Sequence, residues 1–303
     1  MKLLRSLLGV GLMAGTTFAQ TVSNLYSFVG YPSDGQNPQA GLVQGSDGNF
    51  YGTTIIGGVN YYGTVFRINP AGSYSNLYNF GAASDGQRPT GLVQGSDGNF
   101  YGTTEHGGVN TFGPVTCGTV YRISPTGSYA NLYSFGGPPD GHIPFGGLVQ
   151  GSDGNFYGTT GEGGDAGTVF RISPTGSYSN LYSFSAAPDG NIPVAKLVQG
   201  SDGNFYGTTL LGGANYVGTV FRISATGSYS NLYSFGAAPD GNTPYAGLVQ
   251  GSDGNFYGTT VVGGVTNFGT VYRISPTGSY SNLYSFVGSP SDGRNPYGGL
   301  VQG

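Results

Sequence analysis

The feature that most constrains this chain is a repeat of about 50 residues. The nine residues Ser-Asp-Gly-Asn-Phe-Tyr-Gly-Thr-Thr occur five times without change, at 46–54, 96–104, 152–160, 201–209 and 252–260. Leu-Val-Gln-Gly precedes each copy, and a sixth Leu-Val-Gln-Gly occupies 300–303. Successive copies of that motif are 50, 56, 49, 51 and 52 residues apart. A period in this range is typical of propeller blades and exceeds that of short solenoid coils.

The composition favours short strands and tight turns over helices. Sixty of the 303 residues are Gly, and each Gly inside a helix costs roughly 1 kcal/mol relative to Ala. With 24 Tyr and 18 Phe, the chain is too aromatic to be disordered. Only 8% of the residues are charged, and the net charge is −4. This balance excludes broad electrostatic binding to nucleic acid or to an anionic membrane.

Each unit contains four predicted strands, which we call A to D. In the first unit they cover 42–45, 50–54, 64–68 and 74–80. Asp47-Gly48 predicts a type I′ turn between A and B, and Pro70 suits position i+1 of the turn between C and D. The sequence therefore predicts an all-β fold, a β-propeller of four-stranded antiparallel blades with five complete blades and a partial sixth. A linear β-solenoid is the alternative.

The ends of the chain differ from the repeats. Lys2 and Arg5, a short apolar run and small residues before Ala19 predict a signal peptide at 1–19 and an exported protein, whether extracellular, periplasmic or at the cell surface. An N-terminal anchor helix is the alternative. The repeat domain then covers 20–303, with units near 41–90, 91–146, 147–195, 196–246 and 247–298. We expect a lone strand D at 22–28, an incomplete unit at 299–303 and no transmembrane segment in the mature chain. The break inside a repeat suggests a truncated form of a longer chain.

The repeated segments also resemble a known family. Leu-Val-Gln-Gly-Ser-Asp-Gly-Asn-Phe-Tyr-Gly-Thr-Thr, a following Gly-Gly, and then Gly-Thr-Val-Phe/Tyr-Arg-Ile are similar to the choice-of-anchor tandem repeat GloVer-containing proteins of bacteria. The resemblance covers residues 21–303 and implies an exported repeat protein of propeller type. It implies no specific activity, and the sorting tail that often ends members of that family is not found in this sequence.

The turns between A and B and between C and D are nearly identical in every unit, whereas the B–C and D–A loops vary. In a propeller blade these two pairs of connections lie on opposite faces of the disc, so the varied face is the candidate for recognition. Neutral drift in loops after duplication is the alternative explanation. The candidate residues on the varied face are Tyr61, Tyr62, Arg88, Glu105, His106, Phe112, His142, Phe145, Glu162, Asp165, Tyr216, Tyr245, Phe268, Arg294 and Tyr297.

The charged and metal-ligating residues give weaker signals. His106 and His142 with Glu105 or Cys117 could bind a metal, but no metal-ligand spacing supports this, and no metal or cofactor is predicted. The single cysteine is a small loop residue, a free thiol or an intermolecular link. Two series of Asp-Gly suit turns better than a calcium ladder. The series are Asp47, Asp97, Asp153, Asp202 and Asp253, and Asp34, Asp85, Asp140, Asp189, Asp240 and Asp292.

One Arg recurs in each predicted strand C. In a chain with so few charges, we expect these arginines to form ion pairs with the Asp of the A–B turns. The arginines are Arg67, Arg122, Arg171, Arg222 and Arg273.

Three functions remain open from the sequence. The leading one is a secreted, non-enzymatic propeller that presents its varied face to a glycan, peptide or cell-surface partner. The first alternative is a polysaccharide-active hydrolase or lyase, with Glu105, Glu162 or Asp165 as candidate acids. Glu105 and Glu162 occupy equivalent places in adjacent units, which would suit a pair of catalytic carboxylates. The second alternative is a structural surface spacer.

Overall fold

The computed structural model describes residues 23–81, 84–163, 165–185 and 187–303. The predicted signal peptide therefore lies outside the described residues, as does residue 22, where the lone strand was expected to start. All regular secondary structure in the described residues is β-strand. That part of the chain accordingly contains no helix able to span a membrane.

The described residues form five four-stranded antiparallel sheets, each with the order A-B-C-D. The A strands are Val43–Gln44, Gln87–Gln94, Val149–Gln150, Val198–Gln199 and Val249–Gln250. The B strands are Phe50–Thr54, Phe100–His106, Phe156–Thr160, Phe205–Thr209 and Phe256–Thr260. The C strands are Thr64–Ile68, Thr119–Ile123, Thr168–Ile172, Thr219–Ile223 and Thr270–Ile274. The D strands are Tyr74–Asn79, Tyr129–Ser134, Tyr178–Ser183, Tyr229–Ser234 and Tyr280–Ser285.

Short strands of two residues pair with one another within the loops that connect the strands of the sheets. Gly35–Gln36 pairs with Ile56–Gly57, and Gly241–Asn242 pairs with Val262–Gly263. Thr111–Phe112 pairs with Val115–Thr116 inside the longest B–C loop. The first two pairings join a D–A loop to the B–C loop of the sheet that follows it, and the bridges His142–Glu162 and Asn191–Leu211 do the same in two further units.

The predicted strands agree well with the structure, but the A–B turn is of another kind. Gly48 has a positive φ of 80°, and its N–H donates to Gly45 O at 2.9 Å. Asp47 is not among the positive-φ residues. The expected type I′ turn is therefore wrong: a type I turn ends in one left-handed glycine, and this geometry leaves the Asp47 carboxylate free to accept from the N–H of Asn49 at 3.1 Å.

Adjacent sheets are joined by one repeated set of contacts. Tyr51 stacks on Phe100 of the next sheet with ring centroids 3.9 Å apart, and both side chains are fully buried. At the rim of the same junction, Gln94 Nε2 donates to Ser46 Oγ at 3.2 Å, and Ser46 N donates to Gln94 Oε1. The same ring stack occurs at three further junctions, Tyr101–Phe156, Tyr157–Phe205 and Tyr206–Phe256. The hydrophobic core thus lies between sheets, so each sheet is stabilised by its neighbours.

The N-terminal segment repeats the packing of a D strand without forming a strand. Tyr26 stacks on Tyr74 at 4.2 Å, just as Tyr78 of the first D strand stacks on Tyr129 of the second at 4.2 Å. Residues 23–30 have no assigned strand, and the same is true of residues 299–303. Over its described residues, 23–28, the predicted strand D is therefore wrong in secondary structure, although its aromatic side chains lie where a D strand would place them.

The expected Arg–Asp ion pairs are wrong. Among the described residues no Arg of a C strand lies within 4.0 Å of an Asp carboxylate. Asp153 instead accepts hydrogen bonds from the amide of Asn155 and from the hydroxyl of Tyr157, both at 2.8 Å. Arg171 is paired across the sheet with Tyr157, the residue whose hydroxyl donates to Asp153.

The units surround a common centre. One cavity, which we call the axial pocket, is lined by side chains from five consecutive D–A loops and sheets. Units in a linear solenoid contact only their immediate neighbours, so the solenoid alternative is wrong and the arrangement is propeller-like. The lining of the axial pocket includes Gln39, Ile55, Thr90, Glu105, Phe145, Val194 and Tyr245.

Candidate functional site

The D–A loops share an unusual backbone feature. In each Asp-Gly-X-X-Pro segment the residue before proline has a positive φ, between 53° and 59°. In five of the six segments its N–H donates to a B–C loop carbonyl, as Ile143 N does to Cys117 O at 3.1 Å. In several units its carbonyl accepts from the residue after Thr-Thr, as Ile143 O does from Gly161 N at 2.9 Å. For β-branched residues this conformation is strained, so the fold holds these positions firmly. The six residues are Asn37, Arg88, Ile143, Ile192, Thr243 and Asn295.

In the second unit this loop position carries a charge. Gln87 pairs with His106 and Pro89 pairs with Thr104, so Arg88 lies directly across from Glu105. Arg88 Nε donates to Glu105 Oε2 at 2.8 Å. The Glu105 side chain is 15% exposed and the Arg88 side chain is 49% exposed. A carboxylate is therefore held at the wall of the axial pocket by a guanidinium that reaches solvent.

The same pair of positions is uncharged in the other units. Their residues before proline are Asn, Ile or Thr, and the residues after Thr-Thr are aliphatic or Gly. A charged pair at a site that accepts apolar residues is not needed for folding, because a buried ion pair rarely stabilises more than its apolar replacement. The corresponding pairs are Asn37 and Ile55, Ile143 and Gly161, Ile192 and Leu210, and Thr243 and Val261.

Aromatic residues line the axial pocket together with Glu105. Phe145 and Tyr245 both line it, and Tyr297 contacts Tyr245 edge-on with ring centroids 5.6 Å apart. A Cβ on Gly161 would lie 2.7 Å from Phe145 Cδ2, so only glycine there leaves room for the Phe145 ring. The pocket encloses about 210 Å³, which is smaller than the roughly 300–1,000 Å³ of drug-sized sites.

A second set of candidates forms a separate lateral pocket of about 330 Å³, lined by Phe112, His142, Glu162 and Asp165. His142 is only 6% exposed, and its Nε2 lies 3.2 Å from Glu162 Oε2. Its Nδ1 has no hydrogen-bond partner. The Phe112 ring lies 5.4 Å from the imidazole. These four residues do not line the axial pocket.

Glu105 and Glu162 are not equivalent, and their expected pairing is wrong. Glu105 is the first residue after Thr-Thr in its unit, whereas Glu162 is the second. Successive side chains of an extended chain point to opposite sides, so this offset of one residue places Glu105 in the axial pocket and Glu162 in the lateral pocket. A two-carboxylate site built from these residues is not formed.

The remaining candidates are dispersed. His106 Nδ1 lies 3.4 Å from Thr116 O, and the described residues contain no group of three or more His, Cys, Asp or Glu side chains that could hold a metal. Cys117 is fully buried, and this burial raises the pKa of its thiol. The other candidates lie in the B–C and D–A loops outside both pockets: Tyr61, Tyr62, Tyr216, Phe268 and Arg294.

Lys196 is a charged residue that the sequence reasoning missed. It directly precedes Leu-Val-Gln-Gly, where the other five copies of the motif have Gly. Reading the motif one residue further upstream would have found it.

The chain belongs to the Gloeobacter/Verrucomicrobia repeat family, whose sequence profile matches residues 11–165 and 109–303. This confirms the resemblance inferred from the repeats. Among curated proteins, none matches the chain in sequence.

Solved structures share its fold at low identity. A luciferin-regenerating enzyme is 15% identical with a TM-score of 0.51, over 79% of this chain and 78% of that one. A Thermus thermophilus protein described as an oxidoreductase of the glucose dehydrogenase type is 13% identical with a TM-score of 0.51, over 88% of both chains. The extracellular domain of a B. thetaiotaomicron one-component system is 16% identical with a TM-score of 0.51, over 83% of this chain and 32% of that one.

The expectation of a non-enzymatic propeller that presents one varied face to a partner is wrong. Solved structures that share the fold include a luciferin-regenerating enzyme and an oxidoreductase of the glucose dehydrogenase type. The structure also divides the varied face into an axial pocket, a lateral pocket and scattered loop residues. The candidates do not form a single presenting surface.

Proposed function

We propose that this chain is a polysaccharide-active enzyme of the lyase type that acts in the axial pocket. The observation that carries the proposal is the Glu105–Arg88 pair, 2.8 Å apart, in the wall of a cavity to which five units contribute. Glu105 serves as the proton acceptor, and Arg88 orients it. A strained backbone position holds Arg88 and strand B holds Glu105, so both side chains are fixed, as acid–base catalysis requires of its reacting groups.

The lining of the axial pocket favours a sugar ring as the bound group. Phe145 and Tyr245 offer flat apolar faces, and Gln39 and Thr90 offer polar groups beside them. Thr90 is itself fixed, because its hydroxyl lies 2.6 Å from Thr103 Oγ1. Apolar walls with a few fixed polar groups are typical of small-molecule sites.

The number of carboxylates favours elimination over hydrolysis. Glycoside hydrolysis normally uses two carboxyl groups about 5–9.5 Å apart. Among the described lining residues of the axial pocket, Glu105 is the one carboxylate. In elimination a single base removes a proton from a ring carbon, that C–H electron pair forms a C=C bond, and the neighbouring C–O bond breaks. The departing oxygen then takes a proton from water.

We further infer that the five sheets are blades of a propeller, and that residues 23–28 and 299–303 lie at a sixth blade position. The stack of Tyr26 on Tyr74, which matches the contact between consecutive D strands, supports this. We also propose that the protein acts outside the cytoplasm, where its predicted signal peptide would send it.

The test is turnover of polysaccharides by Glu105→Gln, with formation of unsaturated product as the measurement. We expect activity to fall by about 10²–10⁴-fold, the usual contribution of a catalytic acid or base. Folding should be retained, because Arg88 can be hydrated once its partner is gone. Glu162→Gln, the same change in the lateral pocket, is the matched control and should keep full activity. Equal activity of wild type and Glu105→Gln would refute the assignment.

A second variant replaces the charged pair with an uncharged pair that already occurs in another unit of the chain. Arg88→Asn with Glu105→Ile installs the residues that the first unit has at these positions. We expect this double variant to fold and to be inactive. Inactivity accompanied by unfolding would instead assign the pair a structural role.

A further inference from the structure

The walls of the axial pocket come from one position of each unit. This position is the residue directly after the proline of the Asp-Gly-X-X-Pro segment, and in five units it lines the pocket. In the sixth unit it is Tyr297, which contacts Tyr245 edge-on with ring centroids 5.6 Å apart. Walls from units arranged around a common centre surround a site, whereas a groove has two open ends. We call these five residues the wall residues: Gln39, Thr90, Phe145, Val194 and Tyr245.

Successive units come into close contact one or two residues after the wall residues. The contact involves the residue that precedes Leu-Val-Gln-Gly, and in the second unit this residue, Gly91, lines the pocket. A Cβ on Gly147 would lie 3.7 Å from Gly91 O, and one on Gly247 would lie 2.9 Å from Lys196 O. These contacts narrow the axis, which leaves the side of the D–A and B–C loops as the mouth of the pocket.

The enclosed space suits one sugar ring. It measures about 210 Å³, which is below the roughly 300–1,000 Å³ of sites that bury a drug-sized ligand. Glu105 lines this same space. A ring that loses its proton to Glu105 therefore occupies the pocket, and the other sugars of its polymer lie outside the mouth.

We propose that the enzyme acts at the reducing end of a 1,4-linked polymer and releases one unsaturated monosaccharide in each catalytic cycle. The inference rests on the proposed function and adds to it the end that is attacked and the size of the product. In such a polymer the proton that is removed and the oxygen that departs belong to one ring, at C5 and C4. The oxygen on C4 carries the rest of the polymer, so C4 faces the mouth. C1 lies at the opposite end of the ring and faces the closed part of the pocket, so C1 is free, as it is only at the reducing end.

The bonds and protons of this step balance. Glu105 takes the proton from C5, the C–H electron pair forms the C4=C5 bond, and the C4–O bond breaks with its electron pair on the departing oxygen. That oxygen takes a proton from water, and the hydroxide that remains takes the proton back from Glu105. The ring leaves as an unsaturated monosaccharide with its free C1, and the polymer is shorter by one sugar.

The test uses hexagalacturonate and hexaguluronate, 1,4-linked acids in which a carboxylate beside C5 makes its proton removable. Each acid is compared with a copy whose reducing end is labelled by reductive amination with 2-aminobenzamide, and with a copy methylated on O4 of its other end. We expect wild type to release unsaturated monosaccharide as the first product from at least one acid. The methyl group should leave the rate unchanged, and the label should lower it by about 100-fold, as for a misplaced reacting group.

A double variant tests the size of the pocket. Phe145→Val with Tyr245→Val installs at both positions the residue that the fourth unit has there, Val194. It should therefore fold, which circular dichroism checks. We expect the wider pocket to release unsaturated disaccharide beside the monosaccharide. Release of the monosaccharide alone would show that the wall residues do not set the product.

The inference and the proposed function fail in different ways. A mixture of product lengths from the start of the reaction, or equal cleavage of labelled and unlabelled acid, would overturn the inference. If that turnover is lost in Glu105→Gln, the enzyme of the proposed function still stands. Absence of turnover of both acids and of every other polysaccharide by wild type would refute the proposed function, and the inference with it.

Discussion

The A–B turns and the axial pocket contain acidic residues that are used in opposite ways. In every A–B turn the Asp carboxylate accepts from an Asn amide and a Tyr hydroxyl, as Asp153 does from Asn155 and Tyr157. In the axial pocket Glu105 occurs in one unit only and is held by Arg88. The first acid is part of the repeated structure, whereas the second departs from it. In this molecule identical residues therefore stabilise the fold, and departures from identity mark the candidate chemistry.

The comparison teaches how a low-charge repeat protein can carry a site at little cost to its stability. The junctions between sheets use the same ring stacks and Gln–Ser hydrogen bonds throughout. Substitutions at the axis leave those contacts unchanged. Glu105, Arg88 and Lys196 each replace residues that other units show to be compatible with the fold.

The largest expected effect is at a junction between sheets. Tyr157→Ala removes a fully buried ring that stacks on Phe205 at 3.9 Å. We expect a loss of about 3–5 kcal/mol in the free energy of unfolding, as for other large buried aromatic residues. Urea-induced unfolding monitored by circular dichroism measures it.

The chain contains a matched control for that loss. Tyr257 has the same local sequence as Tyr157, but it lies in the last sheet, is partly exposed and has no ring stack among the described residues. Tyr257→Ala should cost less than half as much. Equal losses for the two variants would show that packing between sheets is not the main source of stability.

The next effect concerns the Asp of the A–B turns. Partial burial opposes ionisation of Asp153, but hydrogen bonds from Asn155 and Tyr157 outweigh it and place the pKa of Asp153 below its ordinary value of 3.8. Asp97 and Asp202 are shifted in the same direction. A lowered carboxyl pKa stabilises the folded state above pH 3.8, and this contribution is lost as the pH falls through the folded value.

We therefore expect the melting temperature of wild type to fall steeply between about pH 4 and pH 2, the window set by a depressed carboxyl pKa. Asp153→Ala should lower the melting temperature at pH 7 and narrow its difference from wild type as the pH falls through that window. Calorimetry of both proteins across the series tests this. A difference that stays constant with pH would show that the ionised carboxylate is not what the turn requires.

The sequence was sufficient for most strands of the repeated sheets and insufficient for the site. Strands B and C of the first unit, 50–54 and 64–68, were predicted with the observed bounds because β-branched and aromatic residues are flanked by turn residues. The Arg171–Asp153 pairing failed because cross-strand register, which composition does not reveal, places Tyr157 opposite Arg171. The axial pocket could not be read from the sequence either, because it forms only when five distant loops meet.

The smallest expected effect concerns the contribution of Lys196 to the stability of the fold. Partial desolvation disfavours the charged form of Lys196 and lowers its pKa from 10.5. The unfolded chain therefore binds this proton more strongly than the folded chain does. Wild type should therefore gain stability as the pH rises through the lowered pKa towards 10.5. Lys196→Gln lacks this proton, so it should be more stable than wild type at pH 7, by less than about 1 kcal/mol because the group is solvent-screened. Its advantage should shrink at higher pH. Thermal unfolding at pH 7 and pH 10 measures the difference, and an Lys196→Gln variant less stable than wild type at pH 7 would show that Lys196 supports the fold.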